Sequence, residues 1–384
     1  MEIEVGIGKS ARRAYGLDEI AIVPSRRTRD PDDVSIVWEI DAFRFELPLI
    51  AAAMDGVVSP TTAVEIGRLG GLACLNLEGL WTRYEDPEPY LDEIASLPAE
   101  QATRRMQEIY QEPVKEELIY KRIQEIKGAG VVACGSLTPQ RVRQFLDAVL
   151  QAELDILVIQ GTVVSAEHVS TKTEPLNLKR LIRELDLPVI VGGCASYTTA
   201  LHLMRTGAVG VLVGVGPGHA CTTRGVLGVG VPQATAIADA AGARMRHLDE
   251  TGRYVHVIAD GGMRTGGDIA KAIACGLTVS SSARGARAGF PLGDGHFPSD
   301  PSQRDSYSSG AEGASARNLD RSRSRERWDA QFVWCASNVN GNVRLPEHKR
   351  VSEGGDYGRA FPTHRGQKHS KGPGCGHGLS ARLR

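Results

Sequence analysis

The sequence feature that most constrains the fold is a repeated alternation of short apolar runs with segments of helical periodicity. Seven runs have the length and composition of buried strands, and they lie at 48–54, 71–76, 130–135, 155–161, 188–193, 210–215 and 256–262. Helical patterns occupy 60–69, 139–152, 176–185, 197–205, 232–248 and 268–274. Apolar strands that alternate with helices predict a parallel sheet covered by helices.

Two α/β architectures have this alternation, the open doubly wound sheet and the (β/α)₈ TIM barrel. Several predicted strands end in Gly, Asp, Cys or Ser, which favours the barrel because its functional groups collect at the ends of many strands. Only seven strands are convincing. The last β/α unit is therefore poorly matched or missing: either LTVSSSA (277–283) serves as a poor eighth strand, or the barrel is incomplete.

The domain prediction places the barrel at residues 1–276, with a helical insertion at 77–127 that covers the barrel or a partner subunit. Residues 277–384 are rich in Ser, Arg, Gly and Pro. This composition buries little apolar surface, so it predicts disorder. The abrupt loss of the strand-helix pattern is also what a shifted reading frame produces, and that second interpretation stays open.

Composition argues against several classes of partner. The 384 residues carry a formal net charge of −1 and 41% hydrophobic residues, so neither nucleic acid nor a membrane surface is expected as a partner. Seven scattered cysteines, an odd number, indicate reduced thiols rather than a disulfide framework. The first residues contain no apolar segment of signal-peptide length. We therefore expect a cytoplasmic protein.

One loop contains the residues best suited to chemistry. The apolar run 210–215 leads into glycines 214, 216 and 218, and then into Cys221, which is followed by Thr222, Thr223 and Arg224. Dense glycine lets the backbone approach a ligand closely, and a cysteine on such a loop is placed to act as a nucleophile. The alternative is a small packed side chain with no chemical role.

Four segments together resemble the IMP dehydrogenase / GMP reductase family. GVGPGHACTTRGVLGVGVPQATAIAD is similar to the catalytic-cysteine loop of that family, and VIADGGMRTGGDIAKAIACG to its ribose-phosphate strand and following helix. PLIAAAMDGV and YGLDEIAIVPSR are similar to its N-terminal blocks. The resemblance runs from about residue 15 to residue 276. It is to the short form of the family, without the regulatory CBS-domain pair that many family dehydrogenases carry.

The resemblance implies catalytic and ion-binding roles for the cysteine loop. Cys221 matches the nucleophile that adds to C2 of a purine monophosphate, and Thr223 matches a hydroxyl that relays a proton near the attacking or leaving group. The carbonyl groups of Gly216, Gly218 and Cys221 match those that bind a monovalent cation such as K⁺, for which carbonyl oxygens are suitable hard ligands.

The substrate roles implied by the resemblance lie at other strand ends. Asp260 matches the carboxylate that binds the ribose hydroxyls, and Met54 a residue against the base. Gly261 and Gly262 match a phosphate-binding turn with available N–H groups. From the residues alone, Asp260 could equally be a capping or ion-paired carboxylate, Met54 a core residue, and the glycine pair a tight turn.

Three departures from the family pattern are visible. His219, which lies beside Gly218 in the phosphate part of the loop, replaces the usual serine. Gln160, beside Gly161 at the implied cofactor-binding position, replaces an aspartate that many members have. After Gly276, neither the second phosphate-binding turn nor the Arg-Tyr pair that activates water in the dehydrogenases is found.

The function implied is oxidation of IMP with NAD⁺ and water to XMP and NADH through a covalent Cys221 adduct. The alternatives are reduction of GMP with NADPH to IMP and ammonia, a nucleotide-binding family member with impaired catalysis, and a TIM-barrel enzyme for another substrate. The expected partner is a purine 5′-monophosphate, and the family resemblance implies a homo-oligomer, specifically a tetramer.

Overall fold

The computed structural model of the chain describes residues 2–23, 30, 33–161, 164, 176–218 and 221–282. The predictions of a disordered or frame-shifted tail concern, after residue 282, residues outside this set and stay predictions there. The barrel itself extends beyond residue 276, since residues 279–282 form one of its strands.

Two antiparallel hairpins precede the barrel. The first pairs β1 (Glu2–Gly6) with β2 (Lys9–Arg12), and the second pairs β3 (Trp38–Ile40) with β4 (Phe43–Phe45). Neither hairpin was predicted from the sequence, because a strand of three to five residues is too short to show a reliable period.

The main sheet is a closed barrel of parallel strands that neighbour each other in chain order. Its strands are β5 (Leu49–Ala51), β6 (Leu72–Asn76), β7 (Cys134–Leu137), β8 (Ile156–Gln160), β9 (Val189–Cys194), β10 (Gly210–Val213), β11 (His256–Asp260) and β12 (Val279–Ser282). The predicted TIM barrel is confirmed, and all seven predicted runs contain a barrel strand or overlap with one.

The weak segment 277–283 supplies the eighth strand. In β12, Val279 pairs with Ile258 of β11 and Ser280 pairs with Leu49 of β5, so this strand closes the barrel. Of the two alternatives drawn from the sequence, an incomplete barrel is therefore wrong. The serine-rich sequence hid the strand because buried parallel strands are normally apolar.

Ten helices lie among the described residues. They are α1 (Pro60–Arg68), α2 (Glu88–Ser96), α3 (Ala99–Ile109), α4 (Glu116–Gly128), α5 (Val142–Gln151), α6 (Leu178–Glu184), α7 (Tyr197–Met204), α8 (Thr223–Leu227), α9 (Gln233–Thr251) and α10 (Gly266–Ala274). Helix α4 packs against α1 and α5, so it is the regular outer helix between β6 and β7. Within 77–127, only α2 and α3 are additional to the strand-helix repeat.

One strand boundary differs clearly from the prediction. We expected a strand at 130–135, but β7 begins at Cys134. Gly130 has a φ of 76°, a left-handed conformation that ends helix α4. Residues 130–133 are therefore used to leave the helix and reach the sheet, although their apolar composition resembles that of a strand.

Side chains alternate between the barrel interior and the layer beneath the helices, as the strand period of two requires. On β8, Ile156 and Val158 pack in the interior cluster, whereas Leu157 and Ile159 pack in the cluster between strands and helices. The interior is thus filled by side chains, and functional groups are left to the ends of the strands.

The second hairpin covers the amino end of the barrel. Trp38 stacks on Phe45 with ring centroids 4.7 Å apart and meets the edge of His256, the first residue of β11, at 5.8 Å. The indole N–H of Trp38 donates to the carbonyl of Leu47 at 2.6 Å. With the amino end closed by aromatic rings, the carboxyl ends of the strands form the accessible end.

The tight packing of the barrel wall can be tested at a buried glycine. A Cβ at Gly135 of β7 would lie 2.5 Å from Cδ1 and 2.9 Å from Cγ of Leu77, which is itself fully buried. Gly135→Ala should therefore lower the free energy of unfolding by about 1–3 kcal/mol, measured by denaturant titration.

Gly128 offers a matched control, because it is exposed at the end of α4 and a Cβ there meets no atom within 4 Å. Gly128→Ala should leave stability unchanged or raise it by up to about 1 kcal/mol, since alanine restricts the unfolded chain. Equal effects of the two substitutions would contradict this account of the packing.

Candidate active site

The cysteine loop leaves β10 at the carboxyl end of the barrel, where the sequence placed it. Cys221 is exposed, and its thiol donates to the hydroxyl of Thr223 with Sγ and Oγ1 3.2 Å apart. The backbone N–H of Cys221 donates to the carbonyl of Gly218 at 3.0 Å, which closes a tight turn just before the cysteine. Cys221, Thr223 and Gly218 are thus brought together at the end of one strand.

Arg224 braces this loop from within, a role that sequence analysis did not assign. Its guanidinium donates to the carbonyl of Val215 at 3.2 Å and to that of Val231 at 2.5 Å, so it joins the start and the end of the loop. A Cβ at Gly216 or Gly230 would lie 2.7 Å from Cγ of Arg224. Both glycines are therefore needed for the arginine side chain to fit.

Asp260 ends β11, and its carboxylate accepts hydrogen bonds from the adjacent strand β12 and from β8, which does not pair with β11. The amide Nε2 of Gln160 donates to Oδ2 at 3.0 Å from the end of β8, and the hydroxyl of Ser281 donates from β12. Burial raises the pKa of Asp260, and these two hydrogen bonds lower it in part. The carboxylate is thus fixed in position but costly to ionise, a combination that often marks a functional site.

Two residues that were predicted to bind the cofactor have hydrogen-bond partners within the protein. Gln160 uses its amide to orient Asp260. Gly161 donates its N–H to the carbonyl of Gly192 at 2.8 Å and accepts from the N–H of Gly193 at 2.9 Å. Both polar groups of Gly161 therefore have backbone partners in β9.

The glycine pair after Asp260 lies directly against the cysteine loop. Gly261 and Gly262 have φ values of 75° and 81°, and a Cβ at Gly261 would lie 3.3 Å from Cα of Gly218. Only glycine fits such a left-handed turn at this separation. The N–H of Gly261 donates to the carbonyl of Ser281 at 3.2 Å. This corrects the expectation that the N–H of Gly261 is available to phosphate.

Met54 follows β5 and is half-buried against the core. Its N–H donates to the carbonyl of Ala52 at 2.8 Å, and its own carbonyl accepts from the N–H groups of Val57 and Val58 at 2.9 Å. The residue therefore lies in a compact turn at the same rim as Cys221 and Asp260. His219, the remaining predicted substrate residue, lies outside the described residues.

A carboxylate that the sequence analysis did not single out adjoins this turn. Asp55 accepts a hydrogen bond from the hydroxyl of Tyr110, at the end of α3, and its Oδ1 is buried without a hydrogen-bond partner among the described residues. Burial raises its pKa to about 6, although Tyr110, the backbone of Leu80 and Arg83 act in the opposite direction. Its position directly after the predicted apolar run 48–54 was the available signal.

The described residues offer few side-chain ligands for a metal ion. No group of three or more His, Cys, Asp or Glu side chains in this part of the chain could hold a metal ion. The Gly218 carbonyl in the cysteine loop accepts one N–H, which leaves a second lone pair for an ion. None of the helices described has the length and apolar character needed to cross a membrane.

Comparison with known proteins agrees with this geometry. The family model for the IMP dehydrogenase / GMP reductase domain matches residues 14–281. An uncharacterized oxidoreductase from Mycolicibacterium smegmatis is 48% identical over an alignment of 303 residues, with 77% of this chain and 81% of the relative covered. An inosine-5′-monophosphate dehydrogenase from Methanocaldococcus jannaschii is 26% identical, with 69% of this chain and 70% of that protein covered.

A crystal structure of an IMP dehydrogenase/GMP reductase-like protein from Corynebacterium glutamicum has a TM-score of 0.68 and 46% sequence identity to this chain. The likeness covers 73% of this chain and 75% of that one. The family match ends at residue 281, within β12, so it includes nearly the whole barrel. The chain belongs to the IMP dehydrogenase / GMP reductase family of oxidoreductases.

Proposed function

We propose that the chain is a purine-nucleotide oxidoreductase that oxidises IMP to XMP through a covalent adduct on Cys221. The observation that carries this proposal is the exposed Cys221 thiol, hydrogen-bonded to Thr223 beside the turn that contacts Gly261 and Gly262. Relatives named inosine-5′-monophosphate dehydrogenase support the choice of reaction.

In the proposed reaction, IMP, NAD⁺ and water give XMP, NADH and a proton. Sγ of Cys221 forms a bond to C2 of the purine, and the thiol proton leaves through Oγ1 of Thr223, its hydrogen-bond partner. The nicotinamide, when bound, supplies the two-electron acceptor for the hydrogen lost from C2. Water then adds at C2 and breaks the C–S bond, which returns the thiol.

The remaining predicted residues would hold the nucleotide and the ion. Asp260, oriented by Gln160, would accept hydrogen bonds from the two ribose hydroxyls, and Met54 would contact the base. Gly218 and Gly262 would lie along the phosphate, together with His219. The carbonyl groups of Gly216, Gly218 and Cys221 would hold K⁺, which would fix the loop around the nucleophile.

Reduction of GMP is the second candidate. GMP, NADPH and a proton would give IMP, NADP⁺ and ammonia through the same C2 adduct, with Thr223 placed to pass a proton to the departing amine. No adjacent Arg-Tyr pair follows Gly276 in the sequence, and this direction needs no activated water. For either reaction, the composition leads us to expect a cytoplasmic location, and the family resemblance a tetramer.

The two directions can be separated by following the absorbance of the reduced nicotinamide. We expect a rise when the protein is mixed with IMP and NAD⁺, and no fall with GMP and NADPH. A fall in the second mixture alone would replace the dehydrogenase with the reductase. Binding of IMP without turnover in either mixture would leave a nucleotide-binding protein.

Cys221→Ala should reduce turnover by about 10³-fold or more, because the nucleophile is removed, while the affinity for IMP measured by calorimetry stays within a few-fold. Cys275→Ala is the matched control, since Cys275 is partly buried at the end of α10. Full activity in the Cys221 variant would exclude the covalent mechanism.

Asp260→Asn tests the ribose carboxylate. The loss of charged hydrogen bonds to the substrate should raise the Kd for IMP by about 10- to 100-fold. Asp249→Asn, at an exposed position on α9, is the control and should leave the Kd unchanged.

The effect of the same substitution on thermal stability should depend on pH. Folding raises the pKa of Asp260. The free energy of unfolding of the wild-type protein therefore falls as the pH rises above the usual aspartate pKa, because ionising this carboxyl is unfavourable in the folded state. Asp260→Asn should therefore raise the thermal midpoint at about pH 7.5 more than at about pH 3, which lies below the usual aspartate pKa, so that the carboxyl is largely protonated in both states. A lower midpoint at neutral pH would indicate a structural role instead.

A further inference from the structure

The turn that contains Met54 is held by a segment far away in the sequence. Residues 79–83 and Tyr110, which flank helices α2 and α3, contact Asp55, the residue after Met54. The indole N–H of Trp81 donates to the backbone carbonyl of Asp55 at 3.3 Å, and the hydroxyl of Tyr110 donates to its carboxylate. Thus two donors from one outer segment fix one residue of the predicted substrate turn.

The position of Tyr110 is itself fixed. The guanidinium of Arg83 lies 5.3 Å from the centroid of the Tyr110 ring and donates to the backbone carbonyl of Tyr110 at 3.0 Å. It also donates to the carbonyl groups of Glu112 and Glu78. Arg83 is only 8% exposed, so this brace is enclosed by the protein. The tyrosine hydroxyl is therefore held against Asp55 by a buried cation.

The fit around Asp55 leaves no room for a larger neighbour. A Cβ at Gly79 would lie 1.8 Å from Oδ1 of Asp55, so only glycine allows the carboxylate to occupy this place. Oδ1 is buried without a hydrogen-bond partner in the part of the chain that the structure describes. A carboxylate in such surroundings reduces stability when it is ionised, since burial is the largest influence on its pKa.

A residue that costs stability and lies beside a substrate contact is a candidate for a functional role. We propose that Asp55 and Tyr110 form a positioning pair that holds the Met54 turn in the conformation that binds the purine base. The segment around α2 and α3 would thereby become a support of the nucleotide site. This inference rests on the proposed function, which places Met54 against the base.

Substitutions in this pair can distinguish a positioning role in IMP binding from a general effect on the stability of the fold. Tyr110→Phe and Asp55→Ala should each raise the Kd for IMP about tenfold, the size expected for a lost hydrogen bond to a charged group. Because the two residues act through one contact, the double variant should be no worse than the single ones. The KM for the dinucleotide should stay within about twofold, since the residues predicted to bind the cofactor, Gln160 and Gly161, follow β8 and are not part of this turn.

Two further variants serve as controls. Asp55→Asn keeps an oxygen that accepts from Tyr110, so it should retain the wild-type Kd within about threefold and rescue the loss seen with alanine. Tyr120→Phe removes the hydroxyl of an exposed tyrosine on α4 and should change nothing. Thermal midpoints of all variants should be recorded, because a purely structural role would lower them and weaken both ligands together.

Amide hydrogen exchange gives a readout that needs no ligand. The N–H groups of Val57 and Val58 donate to the carbonyl of Met54, so they report on the turn directly. Tyr110→Phe should speed their exchange several-fold relative to Tyr120→Phe. Unchanged exchange together with an unchanged Kd would overturn the positioning role alone. A wild-type protein that binds neither IMP nor GMP would overturn the proposed function, and this assignment with it.

Discussion

The pairing of β12 with both β5 and β11 is the interaction on which the rest of the structure depends. It converts an open sheet of seven strands into a closed barrel, and closure brings the carboxyl end of the first strand beside that of the last. Met54, Asp260 and the cysteine loop come from strands that are well separated in the sequence. They share one rim because a closed parallel barrel places the carboxyl ends of its strands in one ring.

Closure also places a buried carboxylate between neutral donors. The carboxylate of Asp260, at the end of β11, accepts from the Gln160 amide of β8 and from the Ser281 hydroxyl of the adjacent β12. A second carboxylate at position 160 would face Asp260 at hydrogen-bond distance, and like charges so close oppose ionisation. Glutamine avoids this repulsion and donates instead. The departure from the family pattern is therefore compatible with a charged Asp260 in the folded protein.

The irregular parts of the rim are built from close backbone approaches. Gly218 and Gly261 bring two loops together, and Gly216 and Gly230 make room for the side chain of Arg224. After the first barrel strand, β5, Gly79 makes room for the carboxylate of Asp55. At each place the missing Cβ is what allows a polar side chain or a second backbone to reach its position.

Much of the fold was predictable from the sequence. Seven apolar runs gave the parallel strands, and the composition of their ends indicated a barrel, because burial on both faces imposes an apolar pattern that can be read locally. The hairpin that covers the amino end and the serine-rich eighth strand were not predictable. Trp38 and Ser280 are buried through partners elsewhere in the chain, and no local period records such contacts.

For the site, the sequence by itself determined which residue types are candidates for the chemistry: a cysteine with neighbouring hydroxyls after a strand, and an aspartate before two glycines. Only the tertiary structure decided their partners. It directed Gln160 to Asp260, engaged the N–H of Gly261 with Ser281, and placed Tyr110 on Asp55. These contacts join residues 20 to 100 positions apart. Such partnerships follow from barrel closure and helix packing, which act over distances that sequence spacing does not encode.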